Sequence, residues 1–367
     1  MFRIATVFSG IGAVEHALQR MNIPHKIVFA CDNDFFVKDS YFANYEIDES
    51  KWISDIKDIN GKEFTGKVDL FVGGSPCQSF SMVGKRKGLE DPRGLLIYEF
   101  SRLVKEIKPK IFIYENVKGL LNRGKNETWK EVEKEFKKLD PYFHVKVLNS
   151  KDFGIPQNRE RLFVMGFLES RKDFKFPKPT ELKLFMQDFL EDNTNSKYFL
   201  PEKGIAFVTK EKNLKKRYTQ INGKIALCQK RNQQFNWHGD FIMQLPKEVD
   251  KKYYLSRKVT DYVTSSGTKN FYSKPETDLK IARPLLATMH KMHRAGVDNY
   301  ITKGTKIRKL TPRECLRLMG FDDRFKIVVS DTQMYRQAGN AIVVDVLIHL
   351  LKSIDIQRYV EDERSND

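Results

Sequence analysis

Apolar positions in the first 170 residues fall in short runs separated by longer amphipathic stretches. The runs at 3–8 ("RIATVF"), 26–31 ("KIVFAC"), 69–74 ("DLFVGG"), 110–115 ("KIFIYE"), 144–149 ("HVKVLN") and 161–167 ("RLFVMGF") are rich in β-branched and aromatic residues and read as strands. Between them, residues 13–21, 34–43, about 95–107 and about 127–139 carry helical spacing. Strands alternating with helices predict an α/β class, an open and mostly parallel Rossmann-like sheet covered on both faces. Ligands of such sheets bind at the carboxyl ends of the strands. At "FKFPKPT" (174–180) the pattern changes, and the two prolines read as a linker. Residues 181–300 are basic, polar and aromatic with weak periodicity. A helical pattern returns at 311–321, where Thr311 suits the cap and Pro312 the first turn. A last apolar helix at 341–354 is expected to pack back on the sheet. The organisation expected is therefore a main body, 1–180 plus 311–367, and a smaller mixed domain, 181–310.

Composition narrows the setting. No stretch approaches about 18 apolar residues, so no membrane-spanning helix is expected. The start does not read as a secretory leader, and the cysteine usage suits free thiols in a reducing cytoplasm. Four cysteines, Cys31, Cys77, Cys228 and Cys315, match neither a zinc site nor a disulfide framework, so no metal is expected, and three of the four read as small buried hydrophobes. The net charge is +17, and +15 of it lies in residues 201–310. Excess charge confined to one internal third implies a polyanionic partner, nucleic acid first.

Candidate chemistry gathers at the predicted strand ends. In "VFSGIGAVEHAL" (7–18), Gly10 and Gly12 allow a tight strand-to-helix turn close to a ligand, and Asp32 follows the second strand where an acid can accept from ribose hydroxyls. Glu15 sits where a pyrophosphate would approach the helix. That disfavours a dinucleotide and suits a cationic nucleoside such as S-adenosylmethionine. Asp55 is placed to meet an adenine amine. Cys77 follows the strand "DLFV" inside "GGSPCQSFS" (73–81), beside the basic run "GKRKGLEDPRG" (84–94), where a thiolate nucleophile is favoured. Glu115 ends the next strand, and Arg159 and Arg161, two apart in an extended segment, face the same way. A thiolate, an acid and two arginines beside a nucleoside-type cofactor suit covalent activation of cytosine: thiolate addition at carbon 6 makes carbon 5 nucleophilic.

These segments together resemble the C5-cytosine DNA methyltransferases of bacterial restriction–modification systems. The family's ordered motifs stand here as "FSGIGA" (8–13), "GGSPCQSFS" (73–81), "ENV" (115–117), "QNRERLF" (157–163), "RKLTPRECLRLMGF" (308–321) and "QAGNAIVV" (337–344). The resemblance implies a DNA (cytosine-5-)-methyltransferase that flips its target base from duplex DNA, with Cys77 as nucleophile, Glu115 on ring nitrogen 3, and Arg159 and Arg161 holding the base and its backbone. It implies S-adenosylmethionine as methyl donor, in a pocket of Phe8, Gly10, Ile11, Gly12, Asp32, Asp55, Ile56, Pro76, Leu96 and Asn340. Gln78, Ser81, Lys85 and Arg86 would meet DNA beside the everted base. Two positions depart from the family's pattern: Ala13 stands for a glycine, and Asn33 for a larger side chain against the adenine. The segment 181–310 would be the target-recognition domain, with Lys215, Lys216, Arg217 and Lys269 on phosphates, and with Gln220, Asn222, Gln229, Asn232, Gln233 and Gln234 as candidates for base edges. Phe235, Trp237, Tyr253 and Tyr254 read as that domain's core. The partners expected are double-stranded DNA and a separately encoded cognate endonuclease, and the default assembly is a monomer. An RNA cytosine methyltransferase is the nearest alternative, set aside because that branch lacks a large basic recognition domain. A cysteine hydrolase would need a histidine that nothing places near Cys77.

Overall fold

The computed structural model describes the chain except residues 76–95, 123–126, 193, 232–236, 245–256, 266, 269–270, 273–305, 357–358 and 360–367. The predicted alternation is found. The ordered elements are β1 (Phe2–Val7), α1 (Ala13–Arg20), β2 (His25–Cys31), α2 (Phe35–Asn44), β3 (Trp52–Ile53), β4 (Leu70–Gly73), α3 (Leu96–Ile107), β5 (Ile111–Val117), α4 (Glu127–Leu139), β6 (His144–Asn149) and β7 (Glu160–Phe167). They form one seven-stranded sheet in the order β3-β2-β1-β4-β5-β7-β6. The first five strands in that row are parallel, while β7 runs antiparallel to both β5 and β6. The order reverses between β1 and β4, the switch point where open sheets of this kind receive ligands. β3 was not expected; two residues at a sheet edge are too few to show a period.

Apolar residues on the two sheet faces make two layers. Phe29, Phe71, Phe100, Phe112, Tyr114 and Phe136 lie on one side, under α3 and α4. Ile4, Val72, Ile113 and Met165 lie on the other, under α1 and the carboxyl-terminal helices. Those helices are α8 (Pro312–Arg317), α9 (Asp331–Asn340) and α10 (Val344–Ser353). Thr311 caps α8 as expected, with Glu314 closing a reciprocal capping box. The last helix packs on α1 rather than on the sheet alone: Arg20 reaches Asp345 at 2.6 Å and the Gly320 carbonyl at 2.8 Å. Helix α9 was missed, because "DTQMYRQAGN" is polar along most of its length and starts on a Ser330 cap. It docks on α2 through Gln337, which accepts from Ser40 at 2.7 Å and donates to the Phe36 carbonyl at 2.8 Å. Among the described residues, no helix is long and apolar enough to cross a membrane.

The segment read as a linker is attached to the body. Phe174 is buried against the main core, and the Thr180 amide donates to the Asp152 carbonyl at 2.8 Å. Beyond it lie α5 (Glu202–Val208), α6 (Glu211–Lys215), β8 (Thr219–Ile221), β9 (Gly239–Gln244) and α7 (Arg257–Thr264). The later strand Lys306–Lys309 pairs with β9 to complete a three-stranded sheet. A small apolar cluster of Val208 and Phe241 sits there, with Phe207 and Trp237 packed on it, so Trp237 serves a core as its type suggested. Phe235, Tyr253 and Tyr254 lie outside the described residues.

One buried charge ties the first strand to the middle of the sheet. Asp69, 1 % exposed, receives Arg3 Nη2 at 2.9 Å and Lys110 Nζ at 3.0 Å. Burial disfavours its charge, but the hydrogen bonds from Arg3 and then Lys110 outweigh that and hold the carboxyl below its ordinary range. A lowered native value contributes stability above the unfolded-state pKa of about 4, lost as pH falls through the native value. Asp69→Asn should therefore cost about 2 kcal/mol at pH 7 and flatten the acid limb of stability against pH. Unchanged curves in urea titrations across pH 2–7 would contradict the assignment.

Candidate active site

Strand register sets the site. Val7 pairs with Cys31 and with Gly73, Cys31 with Ile53, and Gly73 with Tyr114. These residues form one row across five parallel strands. The next residue on four of those strands is Phe8, Asp32, Gly74 or Glu115, so the predicted ligand and catalytic positions leave the sheet side by side. Phe8 and Gly10 take left-handed backbone angles, φ +53° and +55°, a strained conformation for Phe8. Gly10 donates its amide to Asp32 Oδ2 at 3.0 Å, and Asp34 donates to Oδ1 at 3.1 Å. Burial raises the Asp32 pKa, with those amides opposing it.

The two glycines of the turn do different things. A Cβ at Gly10 would meet nothing nearer than the Phe8 carbonyl at 4.0 Å, so its bare face looks into open space that a ligand can take. A Cβ at Gly12, φ +74°, would fall 2.1 Å from Tyr45 Cε2. Tyr45 closes the turn from behind, donating to the Gly12 carbonyl at 2.8 Å. Ile11 is 1 % exposed and Ile56 4 %, so both side chains belong to the core and only their backbones can face a cofactor. Asp55 is exposed and caps a short 3₁₀ turn through Lys57. Leu96 opens α3, and Asn340 ends α9, exposed. Glu15 does not face a ligand cleft. It is buried under the turn and accepts from the Tyr41 hydroxyl at 2.6 Å, and burial raises its pKa. Tyr41 and Tyr45 were not predicted, since tyrosines in a helix and just after its end look like ordinary core.

At the other end of the row, Glu115 Oε1 meets Arg161 Nε at 3.2 Å. Gly74 passes so close that a Cβ there would lie 2.9 Å from Glu115 Oε2. Burial raises the Glu115 pKa, against the opposing pull of Arg161 and then Arg159. Ser75 is held by the Tyr114 hydroxyl at 2.6 Å, which also receives Asn116 Nδ2 at 2.8 Å. The chain is thus anchored two residues before Cys77. Cys77 itself, with Pro76, Gln78, Ser81, Lys85, Arg86 and Lys269, lies outside the described residues.

Arg159 is 2 % exposed, and its Nη1 and Nη2 donate to backbone carbonyls of Gln229, Gly339 and Ala341, at 3.1, 3.0 and 2.9 Å. Cys228 also differs from the buried-hydrophobe reading. Its sulfur is half-buried, 3.9 Å from Arg159 Nη1 and 4.0 Å from both terminal nitrogens of Arg161. Burial resists its ionisation, but Arg159 and Arg161 bring the thiol pKa below normal. Cys31 and Cys315 are buried as expected. Of the base-reading candidates, Gln220 donates to the Ile225 carbonyl and to Asp240, Asn222 accepts from the Met243 amide, and Gln229 is 4 % exposed. Gln229 is internal and Gln220 half-buried, both held by the protein's own groups, while Asn222 is exposed; Asn232, Gln233 and Gln234 lie outside the described residues. Lys215, Lys216 and Arg217 are exposed, Lys215 in an ion pair with Glu211 at 2.6 Å. Among the described residues, no group of three or more His, Cys, Asp or Glu could hold a metal ion.

The Tyr45 contact yields a direct test of the turn. Gly12→Ala should destabilise by at least about 2 kcal/mol through overlap and backbone strain. In a Tyr45→Ala background the added cost should shrink to roughly 1 kcal/mol, the strain alone. Equal costs in the two backgrounds, measured by denaturant unfolding, would show that Tyr45 is not the obstruction.

Comparison with known proteins follows the same lines. The family model described as C-5 cytosine-specific DNA methylase matches residues 2–355. Among curated proteins, the type II methyltransferase M.HhaI of Haemophilus parahaemolyticus is 29 % identical over 96 % of this chain and 94 % of its own length. M.HpaII of Haemophilus parainfluenzae is 30 % identical over 94 % and 87 %. The orphan methyltransferase M.SPRI of Bacillus phage SPR is 29 % identical over 98 % and 99 %. Among solved structures, the Entamoeba histolytica methyltransferase EhMeth superposes with a TM-score of 0.65 at 18 % identity, over 96 % of this chain and 98 % of its own. The S. pombe Dnmt2 methyltransferase gives 0.64 at 20 % identity, over 98 % and 99 %. At such identities the structures establish a shared fold.

Proposed function

The chain belongs to the C-5 cytosine-specific DNA methylase family, and we propose that Cys77, Glu115 and Arg161 carry its chemistry on a base flipped out of duplex DNA. The enzyme methylates carbon 5 of cytosine in DNA with S-adenosylmethionine as donor. The observation that supports the residue assignment best is the row of strand ends: Asp32 and the open face of Gly10 stand at one end, and Glu115 with Arg161 at the other, with Gly74 between.

When bound, S-adenosylmethionine supplies an electrophilic methyl group on a sulfonium. The pocket residues present fit it: Asp32 offers carboxylate oxygens to a ribose, the Gly10 turn leaves room for the body of the ligand, and Asp55 and Asn340 offer exposed polar groups. Cytosine carbon 5 is too weak a nucleophile to act alone. The Cys77 thiolate forms a bond to carbon 6, and the π pair of the 5,6 double bond shifts to carbon 5. Protonated Glu115 donates to ring nitrogen 3, and burial favours that protonated form. Arg161 holds the carboxyl in place. Loss of the carbon 5 proton after methyl transfer then expels the thiol. Eversion costs a few kcal/mol of unstacking, offset by contacts that the proposed target-recognition domain, residues 181–310, and the main body of 1–180 plus 311–367 make with the DNA. The role inferred from the type II relatives is that of a protective methylase paired with an endonuclease, acting as a monomer in the cytoplasm of a bacterium or in a phage infection.

Transfer of tritium from labelled S-adenosylmethionine to unmethylated duplex DNA tests the assignment. Cys77→Ser should abolish incorporation. Glu115→Gln should lower it by about 10²-fold or more, the loss of a matched proton donor. Label entering transfer RNA in preference to DNA would overturn the reading. The pH profile adds a signed test. The Arg161 cation favours ionised Glu115, so Arg161→Ala should move the high-pH limb that reports protonated Glu115 upward in pH, with a lower maximum. A downward movement would sink the role given to this pair.

Binding should weaken steeply with salt, log affinity falling by about 0.9 per phosphate contact for each unit of log salt. Replacing Lys215, Lys216 and Arg217 with alanine should reduce that slope by roughly 2 to 3. An unchanged slope would place the phosphate contacts elsewhere.

A further inference from the structure

Arg159 joins two segments distant in sequence. Its Nη2 donates to the carbonyls of Gly339 and Ala341, on either side of Asn340, and its Nη1 to the carbonyl of Gln229. Gln229 belongs to a strap that runs along residues 156–159. Ala226 donates to the Pro156 carbonyl at 2.7 Å and accepts from the Asn158 amide at 2.9 Å, and the Gln229 amide donates to Gln157 Oε1 at 3.0 Å. The strap carries Cys228 against the Arg161 guanidinium, whose Nε faces Glu115. Strap and Asn340 turn also touch directly. A Cβ at Gly339 would lie 2.8 Å from the Arg231 amide nitrogen and 2.9 Å from the Lys230 carbonyl carbon, both backbone atoms. There is no slack between them. A planar fork that satisfies three carbonyls at once holds their relative positions, and moving one without the others leaves a buried polar group unpaired.

We propose that Arg159 is a positioning residue that couples cofactor binding at the Asn340 turn to engagement of the target cytosine at Glu115 and Arg161, so that each ligand tightens the other. This rests on the site reading given above. The coupling must be reciprocal, since it is a difference of binding free energies. A purely structural brace would weaken both affinities without changing their ratio, which separates the two roles.

The measurement is the Kd of S-adenosylhomocysteine with and without a saturating duplex carrying the site found by bisulfite sequencing. For the wild-type enzyme the duplex should tighten binding at least about tenfold, within the usual range of such couplings. Arg159→Lys keeps the charge but not the fork, and should bring the ratio to within about twofold of one. Gly339→Ala, which forces strap and turn apart with Arg159 intact, should also lower it, and decides the matter if the Arg159 variant does not fold. A wild-type ratio near one, or variant ratios matching a wild-type ratio of about ten, would overturn the coupling. A wild-type enzyme that binds both ligands but transfers no methyl group to the duplex would instead overturn the reading of the site.

Discussion

Parallel strands end at a common level only when their hydrogen-bond register brings them there, and here that register governs everything chemical. Val7, Cys31, Gly73 and Tyr114 lie abreast. One step further along each strand, a strained aromatic, an acid, a glycine and a second acid leave the sheet together. A one-residue slip of β5 would turn Glu115 to the opposite face and bring a neighbour of different chemistry to the row. The hydrophobic layers enforce the register, because Phe71, Phe112 and Tyr114 fill one face while Val72 and Ile113 fill the other.

The same geometry settles the electrostatics of the pair at the end of the row. An acid in a dry setting resists ionisation, while a cation at 3.2 Å invites it. Glu115 is held between these influences with burial ahead. Burial biases this carboxyl toward the protonated form that can donate a hydrogen bond, a bias that an exposed glutamate lacks. The half-buried Cys228 sulfur takes part by offering a polarisable partner to the outer nitrogens of Arg161, leaving Nε for Glu115.

Much of this was legible in the chain. The six long strands, four helices and the Thr311 cap follow from periodicity and turn chemistry, and Gly10, Asp32 and Glu115 stand at strand ends as their positions implied. What escaped has common physical causes. β3 is too short to have a period, and α9 buries only Met334, Tyr335 and Ala338 among polar neighbours, with Gln337 hydrogen bonds completing its docking. Arg159 and Arg161 share a face as extended spacing requires, but spacing does not tell which guanidinium will meet carbonyls from residues 229, 339 and 341. Gln220 and Gln229 have the chemistry of base readers, but Gln220 spends its amide on the Ile225 carbonyl and Asp240, and Gln229 is buried. Tertiary contacts across 70 to 182 positions decide such matters.

The central claim, a sulfur adding to an everted pyrimidine beside a neutral acid, is tested most directly by trapping. A duplex with 5-fluorocytosine at the target position has no proton at carbon 5 to lose, so the adduct should persist. With S-adenosylmethionine present, mass spectrometry should find the nucleotide joined to the peptide containing Cys77, and Glu115→Gln should slow its formation. An adduct on Cys228, or none in an enzyme that methylates the ordinary duplex, would contradict the account.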